Sequence, residues 1–218
     1  MMIAVLTCDI IGSRYYSAVD RALLQESLRK HFDRTGTQFP QAGAEVMSFR
    51  VTAGDEFQFS IAEPSLAYRF LLHYRLQTSL LDMKPMPRFR CGIGIGERSV
   101  TGASSYEMDG SAYYRSRQAL NAISKNTDKN KLTQLDIGND TQNQTLHILC
   151  LLMDTIENSW SLRQRQFILL QLEGKNVLEI ADVLKTTHQN VSKTLRLARW
   201  NEFETSVHFI ESIIKQPE

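Results

Sequence analysis

Several common function classes find little to work with in this 218-residue chain. Net charge is nearly absent: 25 Lys and Arg against 24 Asp and Glu leave a formal charge of +1, so whole-molecule attraction is no argument for nucleic-acid binding and only local patches count. The three cysteines, Cys8, Cys91 and Cys150, are far apart, odd in number and flanked by apolar residues. That excludes a CxxC metal pattern and a disulfide framework, and predicts buried thiols of a cytosolic protein. The five histidines show no ligand spacing, and His31, His73 and His147, each placed on an expected helix, read as structural. No apolar run approaches the roughly 18 residues that a membrane span needs, and the opening MMIAVLTCD lacks the basic flank of a signal peptide. What remains is an apolar fraction of 42%, enough for a core in one domain or two small ones, and the expectation of a cytoplasmic protein with no membrane partner.

The stretch that organises the chain is VTAGDEFQF, 51–59. Met47, Phe49 and Val51, then Phe57, Phe59 and Ile61, recur with a period of two, and Ala53-Gly54-Asp55 supplies a turn. Asp55 and Glu56 therefore sit at a hairpin tip, where carboxylates are also at home as ordinary solvated groups. Ile3 to Ile11 is an apolar run broken only by Thr7 and Asp9, the pattern of a central strand buried on both faces. An acid at the end of such a strand needs a partner, either a cation or one of Arg50, Arg88 and Arg90.

Between these lies a predicted amphipathic helix, Val19 to Phe32, with Ala22, Leu23, Leu28 and Phe32 inward, followed by a loop over Gly36 to Gly43. Glu63-Pro64 opens a second helix with Leu66, Phe70, Tyr74, Leu76, Leu80 and Leu81 as its stripe. RFRCGIGIG, 88–96, reads as a strand whose glycines permit close approach by backbone or ligand. A third helix over Ser111 to Ile123 and an edge strand over Leu132 to Ile137 complete a first domain, 1–144.

From Thr145 the strand signals vanish, and 145–218 is expected to be an all-helical domain. Leu146, Leu149, Leu152, Met153 and Ile156 share one face, and Ser161 with Gln164 has capping-box spacing before a helix over Leu162 to Leu172 that ends at Gly174. Helices over Val177 to Leu184 and Thr187 to Trp200 follow, then a tail striped with Phe203, Val207, Ile210 and Ile214.

An Asp ending the first strand and an acid at the next hairpin occupy the positions at which palm-type nucleotidyl transferases and cyclases hold two divalent ions about 4 Å apart. TCDIIGS, AGDEFQF, RFRCGIGIG and MDGSAYYRSRQAL occur in the order of class III nucleotide cyclases and their diguanylate cyclase relatives, over about the first 120 residues. CDIIGSR, GDEFQ and DGSAYYRSRQA more closely resemble the SatD family, which joins such a domain to a helix-turn-helix. The resemblance implies an α+β fold: a ferredoxin-like palm with a mainly antiparallel sheet, then an all-α helix-turn-helix domain. It implies Mg2+ or Mn2+ on Asp9, Asp55, the Ile10 carbonyl and Glu56, and a nucleoside triphosphate whose phosphates meet the Ile11, Gly12 and Ser13 turn and Gly54. Arg115 and Arg117 would stabilise a developing phosphate charge, or else are surface charges of a helix. The cyclase pattern is incomplete: its Asn and Arg, four and eight positions beyond the motif glycine, correspond here to Tyr114 and Gln118.

LRQRQFILLQLEGKNVLEIADVLKTTHQNVSKTLRLARW, 162–200, resembles the helix-turn-helix of sigma-factor region four. That implies double-stranded DNA as a partner, with Thr187 capping the recognition helix. His188, Gln189, Asn190 and Lys193 would face bases, and Arg196 would meet phosphate. The readings left open are a nucleotide-sensing DNA-binding regulator, an active cyclase or transferase releasing pyrophosphate from a triphosphate, and an inactive scaffold with a helical dimerisation module. A homodimer is expected, because class III enzymes share their sites between chains.

Overall fold

A single mixed sheet of five strands is built around the predicted central strand. In the computed structural model, which describes residues 1–43, 50–53, 55–98, 110–124 and 130–215, β1 (Met2–Ile10) is buried at every position from Ile3 onward except Asp9. It pairs antiparallel with β3 (Glu56–Ile61) on one side and with β4 (Phe89–Glu97) on the other. β2 (Arg50–Ala53) extends the sheet beyond β3, and β5 (Thr133–Asp136) joins β4 in parallel, giving the order β2-β3-β1-β4-β5. The predicted hairpin is the β2–β3 pair; Met47, Phe49 and Gly54 lie outside the described residues.

One face of the sheet carries α1 (Ala18–Gln38) and α2 (Ala67–Ser79). Ser17 caps α1 by accepting from the Asp20 N–H at 3.1 Å, and Leu24, Leu28 and Phe32, four residues apart, point inward. Leu28 and Phe32 face inward as expected, but Ala22 and Leu23 lie in solvent, Leu23 at 50% exposure, and Leu24 takes the core position. The helix also continues through Gly36, because Thr35 is buried and its hydroxyl is bound at both the His31 carbonyl (2.7 Å) and His73 Nδ1 (3.0 Å). Tertiary contact overrides the local signal to stop.

α2 is buried at every residue except Arg69, because it lies between α1, the sheet and the C-terminal helices. Several of its polar side chains are paired inside the core, although Tyr68 Oη, Arg75 Nε and Gln77 Oε1 have no hydrogen-bond partner among the described residues. Gln77 Nε2 donates to Thr35 Oγ1 at 2.9 Å, and Arg75 Nη1 donates to Glu157 Oε2 at 2.8 Å. Burial holds His31 and His73 down at a pKa of about 4, so the half-buried His31 and the core residue His73 are both neutral and structural.

The opposite face is covered by α3 (Ser111–Ser124), seated on the glycines of β4. A Cβ on Gly92 would come within 2.3 Å of the Ser116 carbonyl, and one on Gly94 within 2.2 Å of the Ala112 carbonyl. The close approach those glycines permit is therefore made by helix backbone. Ser116 Oγ lies 2.8 Å from Thr7 Oγ1, which also accepts from Gln58 Nε2 at 2.7 Å.

Five helices follow: α4 (Asp140–Ser159), α5 (Leu162–Leu172), α6 (Val177–Val183), α7 (His188–Leu197) and α8 (Trp200–Lys215). The boundary expected at 144/145 falls inside α4, and one apolar cluster runs from β1 through α2 into α5, α7 and α8. Leu152, expected inward, is 59% exposed, while Cys150, Asp154 and Glu157 are buried. Trp200 belongs to α8 rather than to the preceding helix, since Arg199 adopts φ +55° and breaks the run. The Ser161–Gln164 capping box forms as predicted.

Candidate functional site

Backbone pairing brings the two key carboxylates to one end of the sheet. Asp9 lies opposite Glu56 on β3 and Arg90 on β4, and the Ile10 N–H donates to the Asp55 carbonyl at 3.0 Å, tying the end of β1 to the hairpin tip. By strand alternation Asp9 shares a face with Thr7, the face that α3 covers. Asp55 reaches the other way, accepting from Ser13 Oγ at 2.5 Å. The carboxylates thus flank the sheet end from two sides and still sense one another. Burial first, then the charge of Asp55, push the Asp9 pKa up to about 6, against a smaller opposing effect of Arg90. Arg90 Nη1 stands 3.9 Å from Asp9 Oδ2, a loose pair, and its buried Nε has no acceptor among the described residues. Of the arginines expected as partners for Asp9, Arg90 stands beside it and Arg88 donates to Asn158, while the Arg50 side chain lies outside what is described.

Glu56, expected as a possible ligand, is paired with Arg117, whose Nη1 stands 2.7 Å from its Oε2. No group of three His, Cys, Asp or Glu side chains converges among the described residues. The Arg115 guanidinium donates to the Ile95 carbonyl at 2.6 Å and lies against Gly138, toward the far end of β4 from Arg90. Two residues along the same helix, Arg117 is beside the acids; Arg115 is a clamp between β4 and the start of α4. Tyr114 and Gln118, standing where cyclases carry Asn and Arg, are bonded to each other on the outer surface of α3 at 2.6 Å.

The turn after β1 meets expectation only in part. The Ile11 N–H is taken by the Arg88 carbonyl at 2.9 Å, so it is not available to a phosphate. Gly12, at φ +71°, caps a short 3-10 turn over Ser13–Tyr15, and neither its N–H nor that of Ser13 has a protein acceptor among the described residues. Beside this turn opens a cavity of about 270 Å³, floored by Ile10, Tyr16 and Leu24 and rimmed by Ser13, Arg14, Arg21, Gln25 and Asp55. Arg14, Arg21 and Gln25 were missed from sequence. Placing the inward face of α1 on Leu24, Leu28 and Phe32 would have put Arg21 and Gln25 at its sheet-end edge.

At the other end of the chain, α6 and α7 meet across a turn in which Lys185 has φ +48°. Thr187 caps α7 by accepting from the Asn190 N–H at 3.2 Å, as expected. Val191 and Leu195 face inward, leaving His188, Gln189, Asn190, Lys193 and Arg196 exposed. Asn190 is partly engaged, its amide donating to Thr186 Oγ1 at 2.9 Å.

The family model of SatD, described as the SatD family, matches residues 2–200. The chain belongs to the SatD family. No curated protein matches it in sequence. Among solved structures, a bacterial light-regulated adenylyl cyclase is similar over 62% of this chain and 74% of its own, at 14% identity and a TM-score of 0.42. The catalytic core of a rhodopsin-guanylyl cyclase with converted specificity, in complex with ATPalphaS, is similar over 53% of this SatD chain and 70% of its own, at 16% identity and a TM-score of 0.36. No helix among the described residues is long and apolar enough to cross a membrane.

Proposed function

We propose that this SatD protein binds a nucleoside triphosphate with Mg2+ or Mn2+ at the end of β1, and that the bound state sets the DNA affinity of α6 and α7. The observation that carries the reading is the placing of Asp9 and Asp55 at one sheet end: two carboxylates close enough for one to raise the pKa of the other, opposed at Asp9, among the described residues, by a loose arginine. Such a pair has negative charge to spare, and a divalent cation supplies the missing countercharge. Asp9 and Asp55 would hold it; bound there, it would neutralise phosphate oxygens. The N–H groups of Gly12 and Ser13, without acceptors among the described residues, together with Arg14 and Arg21, suit a polyphosphate. Gln25 and the apolar floor of Ile10, Tyr16 and Leu24 offer a place for a ring. The strand order, with β1 to β4 all antiparallel and two helices on one face, supports the ferredoxin-like palm reading.

Binding is favoured over turnover. Tyr114 and Gln118 pair with each other, Arg115 is committed to the Ile95 carbonyl, and Arg117 to Glu56, so no arginine of α3 is left to meet a leaving phosphate in this arrangement. A route from site to helices runs through Arg88, whose carbonyl holds Ile11 and whose guanidinium donates to Asn158 near the end of α4. The exposed His188, Gln189, Asn190, Lys193 and Arg196 on α7 fit a major groove. A homodimer would place two such helices for paired half-sites.

Thermal unfolding with each triphosphate and Mn2+ tests the binding: the midpoint is expected to rise with at least one nucleotide in the wild type and not in Asp55→Asn. Pyrophosphate release lost in Asp55→Asn would instead establish an enzyme. No shift with any nucleotide would leave the scaffold. A salt-dependent gel shift weakened by Lys193→Ala or Gln189→Ala is expected for DNA; one unchanged by both would remove the α7 assignment.

A further inference from the structure

Cys8 and Cys91 lie directly opposite each other on the two central strands, both fully buried, with their sulfurs 3.1 Å apart. Whether such a pair can be bridged depends on which kind of antiparallel pair it is. The Cys91 N–H donates to the Leu132 carbonyl at 2.8 Å, so its backbone groups point toward β5 and away from β1. On β1, the Ile10 N–H points toward the hairpin side, and Cys8, two residues earlier, has the same orientation. Neither cysteine spends a hydrogen bond on the other. They form a non-hydrogen-bonded pair, the kind that brings opposing Cα atoms to about 4.5 Å and their side chains closest. That falls within the roughly 4.4–6.8 Å that a disulfide spans. The third cysteine, Cys150, is on α4 and has no such opposite number.

We infer that Cys8 and Cys91 are a cross-strand dithiol that closes to a disulfide in the folded protein on exposure to a low-molecular-weight disulfide. One thiolate attacks the oxidant's sulfur, forming a mixed disulfide and expelling one thiol. The second thiolate then attacks the protein sulfur and expels the other. The two cysteines lose two protons and two electrons, and the oxidant is reduced to two thiols. Burial keeps both groups away from solvent, so the reaction is gated by opening of the sheet, and its rate follows that opening. Asp9 and Arg90 are the immediate chain neighbours of the bond, so closure would fasten the strands at the acid pair. The inference does not depend on nucleotide binding.

The test is to incubate the full chain with oxidised glutathione at pH 8, with and without urea below the unfolding transition, and then to denature, alkylate and digest it. The expected result is a fall from three alkylatable thiols to one, a joined Cys8–Cys91 peptide, and faster closure in urea. Cys150→Ser should lose both of its remaining thiols, whereas Cys8→Ser should yield no joined peptide. Three thiols persisting under both conditions, a glutathione adduct that never resolves, or a link made to Cys150 would overturn the inference.

Discussion

Two clusters of charged side chains in this protein, one buried and one half-buried, are treated by the fold in opposite ways. Where α2, α4 and α5 meet, Glu157 is held by Arg75 at 2.8 Å and lies 3.7 Å from Arg165, while Asp154 accepts from the N–H groups of Leu132 at 2.7 Å and Thr133 at 2.9 Å. Burial alone would lower the pKa of Arg75, yet Glu157 and Asp154 more than reverse it. At the end of β1, two acids share one loosely placed arginine, and Asp9 is left with its pKa pushed up to about 6. Burial raises a carboxyl in both places, Asp154 to about 7 and Asp9 to about 6; what differs is the partners, and the loose pairing at the sheet end is what the proposed cation site rests on.

The contrast can be broken most forcefully at the buried cluster. Glu157→Ala leaves Arg75 buried without its carboxylate and is expected to lower stability by about 3–5 kcal/mol, read as the urea midpoint. A loss within about 1 kcal/mol would mean the buried cluster is not what holds α4 to α2.

A smaller effect of opposite sign is expected at the acids. A carboxyl whose folded-state pKa exceeds its unfolded value keeps its proton more tightly in the fold, so stability is full at low pH and falls as the pH rises from about 4 towards about 6. Asp9→Asn removes that loss. Allowing for the partial exposure of the group, it should raise stability by about 1 kcal/mol at pH 7.5 without metal. At pH 4 the gain should vanish. Equal gains at both pH values would locate the effect in packing rather than charge.

The smallest effect belongs to Arg117. Its pair with Glu56 is partly solvated, so Arg117→Ala should change stability by less than about 1 kcal/mol. Glu56 is then released beside Asp9, and the Mn2+-dependent rise in thermal midpoint should grow. A smaller rise would show that Arg117 aids binding instead of competing with it.

How much of this was legible in the sequence follows from the range of the forces involved. Period-two alternation, the Asp9 break in an apolar run and the capping residues of α5 and α7 act over a few neighbours, and they gave the strands, the acid pair's location and most helix limits. Leu23 and Leu152 were misplaced because a helix with apolar residues on more than one side does not say which side faces inward until its neighbours are placed. Arg115 and Arg117 were indistinguishable for a related reason: two residues apart on a helix, they point about 200° apart, and only the seating of α3 on Gly92 and Gly94 assigns one to each end of the sheet. The polar residues of α2 were invisible as core because their partners, Glu157 and Thr35 among them, lie far away in the chain.

The central claim is that Asp9 carries unmatched charge that a cation would satisfy. The direct measurement is a titration of the Asp9 carboxyl carbon by NMR, with and without Mg2+. The account predicts a midpoint near 6 that drops when Mg2+ is added, and a return of the drop to near zero in Asp55→Asn. A midpoint near 4 that ignores Mg2+ would contradict it.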